Sequence, residues 1–190
     1  MSSPGNGPLS SPTTDTGRRA MVLDSALATF ARFGYRKTSM EEVARAAHIS
    51  RPGLYFLFSS KEALFRAAAT HALERDIAVV EDVLADVDRP LPERLVEAFD
   101  QWAGRYVGPL ARDIAAVIAD NSNLLGEIAQ TAPQRFEELI TSAIAVDSGQ
   151  KTAAPAAQTM ISASIGLKHQ TATRESYLER LRIAIALLVH

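Results

Sequence analysis

The stretch that decides the fold reads FARFGYRKTSMEEVARAAHIS over residues 30–50 and continues RPGLYFLFSSKEALF over residues 51–65. It holds the end of one amphipathic helix, two short helices and the start of a longer one. Val22, Leu23, Ala26, Leu27, Phe30 and Phe33 recur at spacings of three and four, which predicts one apolar helical stripe, and Gly34 ends it. Thr38 with Glu41, or the overlapping Ser39 with Glu42, forms a capping box that opens a short helix through Ala47. Met40, Val43, Ala44 and Ala47 make its inward face. His48 falls where a tight turn needs positive φ, and histidine is among the few non-glycine residues enriched there. Ser50 caps the next helix, which tolerates Pro52 because a first helical turn needs no internal amide donors. Ser59 with Glu62 then opens a long helix from about Lys61 to Leu84.

Outward from this core the pattern stays helical. Residues 1–16 are a polar tail rich in Ser, Pro, Thr and Gly, expected to be disordered. Beyond the break at residues 86–90, helices are expected at about 93–106, 110–119, 122–146, 156–168 and from Thr173 to Val189. Pro133 is expected to kink the third of these, and residues 147–154 to form a loop. No sustained alternation or hairpin turn signals a strand, so the fold class is all-α.

The chain has 190 residues, 47% of them hydrophobic, which suffices for one or two packed domains. It has no cysteine, which excludes thiol catalysis, disulfides and thiolate-bound zinc. Neither a signal peptide nor an apolar run of the ~18 residues needed for a spanning helix is visible, so a cytoplasmic protein with no membrane partner is expected. The net charge of −2 conceals an asymmetry. Residues 1–75 carry ten basic against six acidic side chains, and residues 76–190 carry ten against sixteen. A basic first third on an acidic remainder suggests a nucleic-acid module joined to something else.

Two short helices joined by a tight turn, the second opening on a capping serine, meet the requirements of a helix-turn-helix. From Ala20 to Leu64 the chain resembles the DNA-binding domain of the TetR (TetR/AcrR) family of transcriptional regulators. Phe30, Phe33, Gly34, Tyr35, Thr38, Leu54, Tyr55, Phe58, Lys61, Glu62 and Leu64 carry the match. The resemblance implies an N-terminal three-helix helix-turn-helix domain (17–62) and a C-terminal helical ligand-binding and dimerisation domain (63–190). It implies a homodimeric repressor that binds a near-palindromic double-stranded DNA operator and is released by a small, largely apolar effector. Thr38 and Ser39 would meet phosphate at a helix N-terminus, as would Tyr55 through its phenol and Lys61 through its charge. Ser50 caps the reading helix. Arg51, at its tip, is the candidate base contact, since arginine to guanine is the commonest specific pairing. Gly53 either lets the helix approach closely or is merely a poor helix residue. Phe56 either touches a thymine methyl or belongs to the core, and Arg18 could reach phosphate or the minor groove. Relatives often carry Tyr, His or Arg where this chain has Phe56 and Leu57, so weaker binding or a different sequence preference is expected.

The C-terminal part carries periodicity rather than a motif. Met160, Ile161, Ser164 and Leu167 on one helix, with Tyr177, Leu178, Leu181, Ile185 and Leu188 on the next, form apolar stripes that fit a four-helix dimer interface or an internal core. Phe99, Trp102 and Tyr106 share a helix face and, with Ile118, Leu125 and Phe136, could wall a pocket or fill a core. His71 lies on the connecting helix, within reach of a ligand. The four histidines form no metal-binding pair, and no nucleophile elbow, Walker loop or dinucleotide fingerprint is present. No catalytic residue, metal or cofactor is therefore expected. A helical dimeric adaptor without specific DNA binding is the alternative reading.

Overall fold

A 22-residue helix, α1 (Pro12–Phe33), begins the part of the chain that the computed structural model describes: residues 12–107, 109–148 and 150–189. Side chains are described over 16–107, 114–147 and 152–189. The helix starts inside the expected polar tail, so residues 12–16 are helical, while 1–11 lie outside the described residues. Gly34 ends α1 with φ +80°, a conformation that costs a residue without Cβ nothing. Phe33, read as part of the apolar stripe, is exposed and sits beneath the Arg32 guanidinium.

Two short helices follow, α2 (Met40–Ala46) and α3 (Arg51–Leu57). Of the two overlapping capping boxes, Ser39 with Glu42 is the one that forms. Ser39 Oγ accepts from the Glu42 amide at 3.2 Å, and the Glu42 carboxylate accepts from the Ser39 amide at 2.7 Å. That amide holds the Glu42 carboxyl below its ordinary pKa. The α2 end is a Schellman turn: His48 N–H donates to Arg45 O and Ile49 N–H to Ala44 O, with His48 at φ 53°. The long helix α4 (Lys61–Ala85) is capped by Ser60, whose hydroxyl accepts from Ala63 N–H at 3.0 Å. The expected Ser59–Glu62 box is displaced by one residue because Ser60 holds the extended N-cap conformation.

The remaining helices are α5 (Leu91–Trp102), α6 (Pro109–Asp120), α7 (Ile128–Ser148), α8 (Gln150–Gln170) and α9 (Arg174–Leu188), with 3₁₀ turns at Gly104–Tyr106 and Ser122–Leu124. The last helix is capped by Thr173 as expected. The expected helix from Ser122 is divided by a turn through Gly126, and Pro133 is carried inside α7 rather than breaking it. The expected loop at 147–154 is almost absent, since α7 runs to Ser148 and α8 starts at Gln150. The described residues contain helices and turns but no strand.

Two apolar cores are strung along α4. Its first half gives Leu64, Phe65, Ala68, Ala69 and Ala72 to a core shared with α1, α2 and α3, and with Val117 of α6 and Leu125. Phe30, Tyr35 and Phe65 pack ring on ring at 5.0–5.6 Å and lock α1 onto α4. Its second half gives Val80 and Leu84 to a core built from α5, α7, α8 and α9. The C-terminal end of α4 is closed by the buried Arg94, which donates to the carbonyls of Leu84 at 2.7 Å and Arg89 at 3.0 Å. A cation there satisfies carbonyls left over by the helix and complements its dipole.

Between the two cores α4 buries Asp76, which is 1% exposed. Tyr106 Oη donates to its carboxylate, as do Gln101 Nε2 at 3.0 Å and Arg105 Nη1 at 2.9 Å. Burial raises the Asp76 pKa against the pull of these partners. The turn after α5 is thus tied to the middle of the connecting helix.

Candidate nucleic-acid interface

In the module that could read nucleic acid, the second helix rests on one buried residue. Leu54 is the fully buried side chain of α3 and seats that helix on the first core, with Leu57 half-buried beside it. Ser50 Oγ accepts from Gly53 N–H at 3.1 Å and fixes where the helix starts. Gly53 has a local reason as well: a Cβ there would lie 3.0 Å from the Ser50 hydroxyl and crowd the cap. The rest of α3 faces outward. Arg51 is exposed, with its guanidinium 5.7 Å from the Tyr55 ring centre, and Tyr55 is itself exposed. Phe56 is 90% exposed, which settles the choice left open above: it is not a core residue.

Two expected phosphate donors are spent inside the protein. Thr38 is buried, and both its hydroxyl (2.9 Å) and its backbone N–H (3.2 Å) donate to the Gly34 carbonyl. Its position one residue before the N-cap turns it back towards α1, which corrects its reading as a phosphate contact. Lys61 is half-buried and donates to the carbonyls of Tyr35, Arg36 and Thr38 at 3.1–3.4 Å. It pins the α1–α2 turn to α4 and contributes charge rather than a free donor. Ser39 and Ser50 are exposed at their caps, and Arg18 is exposed on α1. Sequence reading missed Arg36 and Lys37, exposed on the turn before α2, although a basic pair just ahead of a capping box was a visible signal.

The expected pocket does not assemble. Phe99 and Phe136 are buried in the second core, where Trp102 stacks on Phe136 at 5.0 Å, while Ile118 and Leu125 pack with the first core. Periodicity identified these residues as inward-facing but could not say towards which core. His71 is half-buried on α4, and Tyr106 binds Asp76 through its hydroxyl while lining a different cavity, beside α6.

The expected dimer stripe is corrected in the same way. Met160, Ser164, Leu167, Tyr177, Leu181 and Ile185 are buried within the chain, and Ile161, Leu178 and Leu188 pack against the same core. Tyr177 Oη meets Ser164 Oγ at 2.8 Å, and burial pushes its pKa up to about 12. Away from that core, α9 carries exposed Ile183 (62%) and Leu187 (71%) on a groove of about 420 Å³ that Ala163, Gly166 and Ala184 help to line.

A capped helix pair joined by a Schellman turn, with the second helix presenting Arg51, Tyr55 and Phe56, defines a helix-turn-helix module. The family model for bacterial regulatory proteins of the tetR family matches residues 22–68. The Escherichia coli (strain K12) transcriptional regulator RutR is 36% identical over 59 residues, which cover 31% of this chain and 28% of RutR. The Mycobacterium tuberculosis transcriptional repressor Rv1474c is 39% identical over 62 residues, 33% of each chain. The aligned part thus spans about a third or less of these relatives. The solved structure of reduced Escherichia coli NemR matches at TM-score 0.73 with 16% identity, covering 91% of this chain and 97% of that one, so the whole fold is shared. No helix among the described residues is long and apolar enough to cross a membrane.

Proposed function

We propose that this chain is a ligand-responsive transcriptional regulator, a repressor, that binds a near-palindromic operator as a homodimer. The observation that carries this reading is the outer face of α3, where Arg51, Tyr55 and Phe56 stand exposed on a helix that a single leucine anchors. Arg51 reads a guanine edge, Tyr55 donates to phosphate, and Phe56 meets a thymine methyl. Arg18, Arg36 and Lys37 add phosphate attraction. An apolar ring exposed to water is costly, and a major-groove methyl is an occupant that would cover it.

The dimer face is the outer side of α8 and α9 rather than the stripe first expected. A second copy covers Ile183 and Leu187, and Ala163 and Gly166 allow the helices to approach closely. A twofold axis there gives two reading helices, and half-sites about 34–36 Å apart would match them. The domain bounds follow function: residues 17–62 read DNA, and 63–190 sense and dimerise.

The test is a titration of the purified protein against the DNA upstream of its own coding region, at two salt concentrations, with Tyr55→Ala as control. Specific binding that weakens steeply with salt and is lost in the variant is the expected result. Absence of binding across a randomised duplex library refutes the regulator and favours a helical adaptor.

A further inference from the structure

A cavity of about 320 Å³ lies between the Gly104–Tyr106 turn, α6 and the end of α8, with Tyr106, Val107, Ala115, Ala119, Lys168 and His169 in its wall. Helix α6 divides its faces between this cavity and the first core. Val117 is buried in that core with Ile114 and Ile118 packed against it, while Ala115 and Ala119 face the cavity. The cavity's other edge is Tyr106, whose hydroxyl is bound to Asp76 on α4. An occupant would therefore touch two elements attached to the DNA-reading half.

The chemistry of the wall is lopsided. It is mainly small and apolar, yet Lys168 projects an ammonium into it. That ammonium is half-buried and 5.9 Å from the Tyr106 ring centre, with no ion pair among the described residues. Asp76, which holds the Tyr106 hydroxyl, is already committed to Tyr106, Gln101 and Arg105. A lysine half withdrawn from water, with no ion pair among the described residues, is costly to keep charged, and burial lowers its pKa. An anion bound beside it would remove that cost, and the low local dielectric would strengthen the pairing. The volume is at the small end for ligand sites, which run roughly 300–1,000 Å³.

We propose that this cavity binds a small organic monocarboxylate, its carboxylate on Lys168 and its apolar body against Val107, Ala115, Ala119 and the Tyr106 ring. The inference deepens the effector part of the regulator reading and rests on that reading for its consequence, though not for its chemistry. One lysine amid alanines, with the exposed His169 beside it, matches a single negative charge on an apolar body, and a neutral ligand would give the ammonium no counter-charge.

The experiment is calorimetric titration of the full chain, without DNA, using benzoate, cinnamate and octanoate, each against its neutral amide. At least one carboxylate is expected to bind at least tenfold more tightly than its amide. Lys168→Met, which keeps the aliphatic stem, abolishes that preference. Lys168→Arg keeps it, and Ala119→Phe blocks carboxylate and amide alike. Circular dichroism checks that each variant is folded. The proposal is overturned if no carboxylate outbinds its amide, or if the preference survives Lys168→Met. DNA binding, measured separately on the same protein, keeps the two readings apart. Intact operator binding without a carboxylate preference sinks this site alone. A Lys168-dependent preference in a protein that binds no DNA sinks the regulator alone.

Discussion

Truncating Leu54 to alanine should undock the reading helix while leaving the rest of the molecule folded. Leu54 is fully buried, and α3 has no other residue of that kind, with Leu57 half-buried and Tyr55 and Phe56 outside. Leucine-to-alanine changes in cores cost about 2–5 kcal/mol, and a site under a short surface helix can settle, so about 3 kcal/mol is expected. At about 1.4 kcal/mol per decade that is roughly a hundredfold in the docking equilibrium of α3. The loss stays local because the Phe30–Tyr35–Phe65 cluster, which joins α1 to α4, does not include α3. Hydrogen exchange is the assay, read at the Leu54 amide, which donates to Ser50 O, and the Phe58 amide, which donates to Leu54 O. Both should exchange roughly a hundredfold faster in the variant while amides in the middle of α4 keep their protection. Leu54→Met, close to volume-conserving, should cost under ~1.5 kcal/mol and change exchange little. DNA affinity would fall only by the fraction of molecules with α3 undocked. Equal acceleration in α1 and α4, or none in α3, would refute the idea that one side chain holds this helix.

Further outcomes follow from the same geometry. Arg94→Met leaves the Leu84 carbonyl unpaired at the end of α4 and should cost about 1–3 kcal/mol, read as a lower midpoint in urea. His48→Gly should stabilise the turn after α2 by up to ~1 kcal/mol, and His48→Val should destabilise it by about 1–2 kcal/mol, because φ is 53°; thermal melts that leave both variants at the parent midpoint would remove the strain argument. The raised pKa of Asp76 means the folded state binds its proton more tightly than the unfolded chain. Its contribution is therefore fully present below the unfolded carboxyl pKa and is lost as pH rises through the folded value. Asp76→Asn should accordingly lose that part of the pH dependence, seen by comparing urea midpoints of the two proteins across the acid range. Ile183→Glu combined with Leu187→Glu should yield a folded monomer in sedimentation; an unchanged mass would move the dimer face elsewhere.

Much of this protein is fixed by short-range chemistry and is legible without coordinates. Ser50, Pro52 and the residues around His48 dictate helix starts and a left-handed turn through groups only a few residues apart, so the reading module could be located to within a residue. The same holds for Thr173 at the start of α9. Periodicity likewise marked Phe99, Phe136 and Leu125 as pocket or core residues, and Tyr177 and Ile185 as part of a covered apolar stripe. It could not say which interior they enter, because a 3.6-residue repeat records that a side chain leaves water, not what it meets. Only the tertiary structure assigned Leu125 and Phe136 to different cores and turned the expected dimer stripe of α8 and α9 into an internal seam. It spent Lys61 on backbone carbonyls 23–26 residues away along the chain. It also exposed Phe56, and it brought Asp76 to Tyr106 and Lys168 to a cavity beside α6. Those pairings join residues 30 to about 60 positions apart, and burial and charge act through space, so their partners are set by how helices pack and not by spacing along the chain.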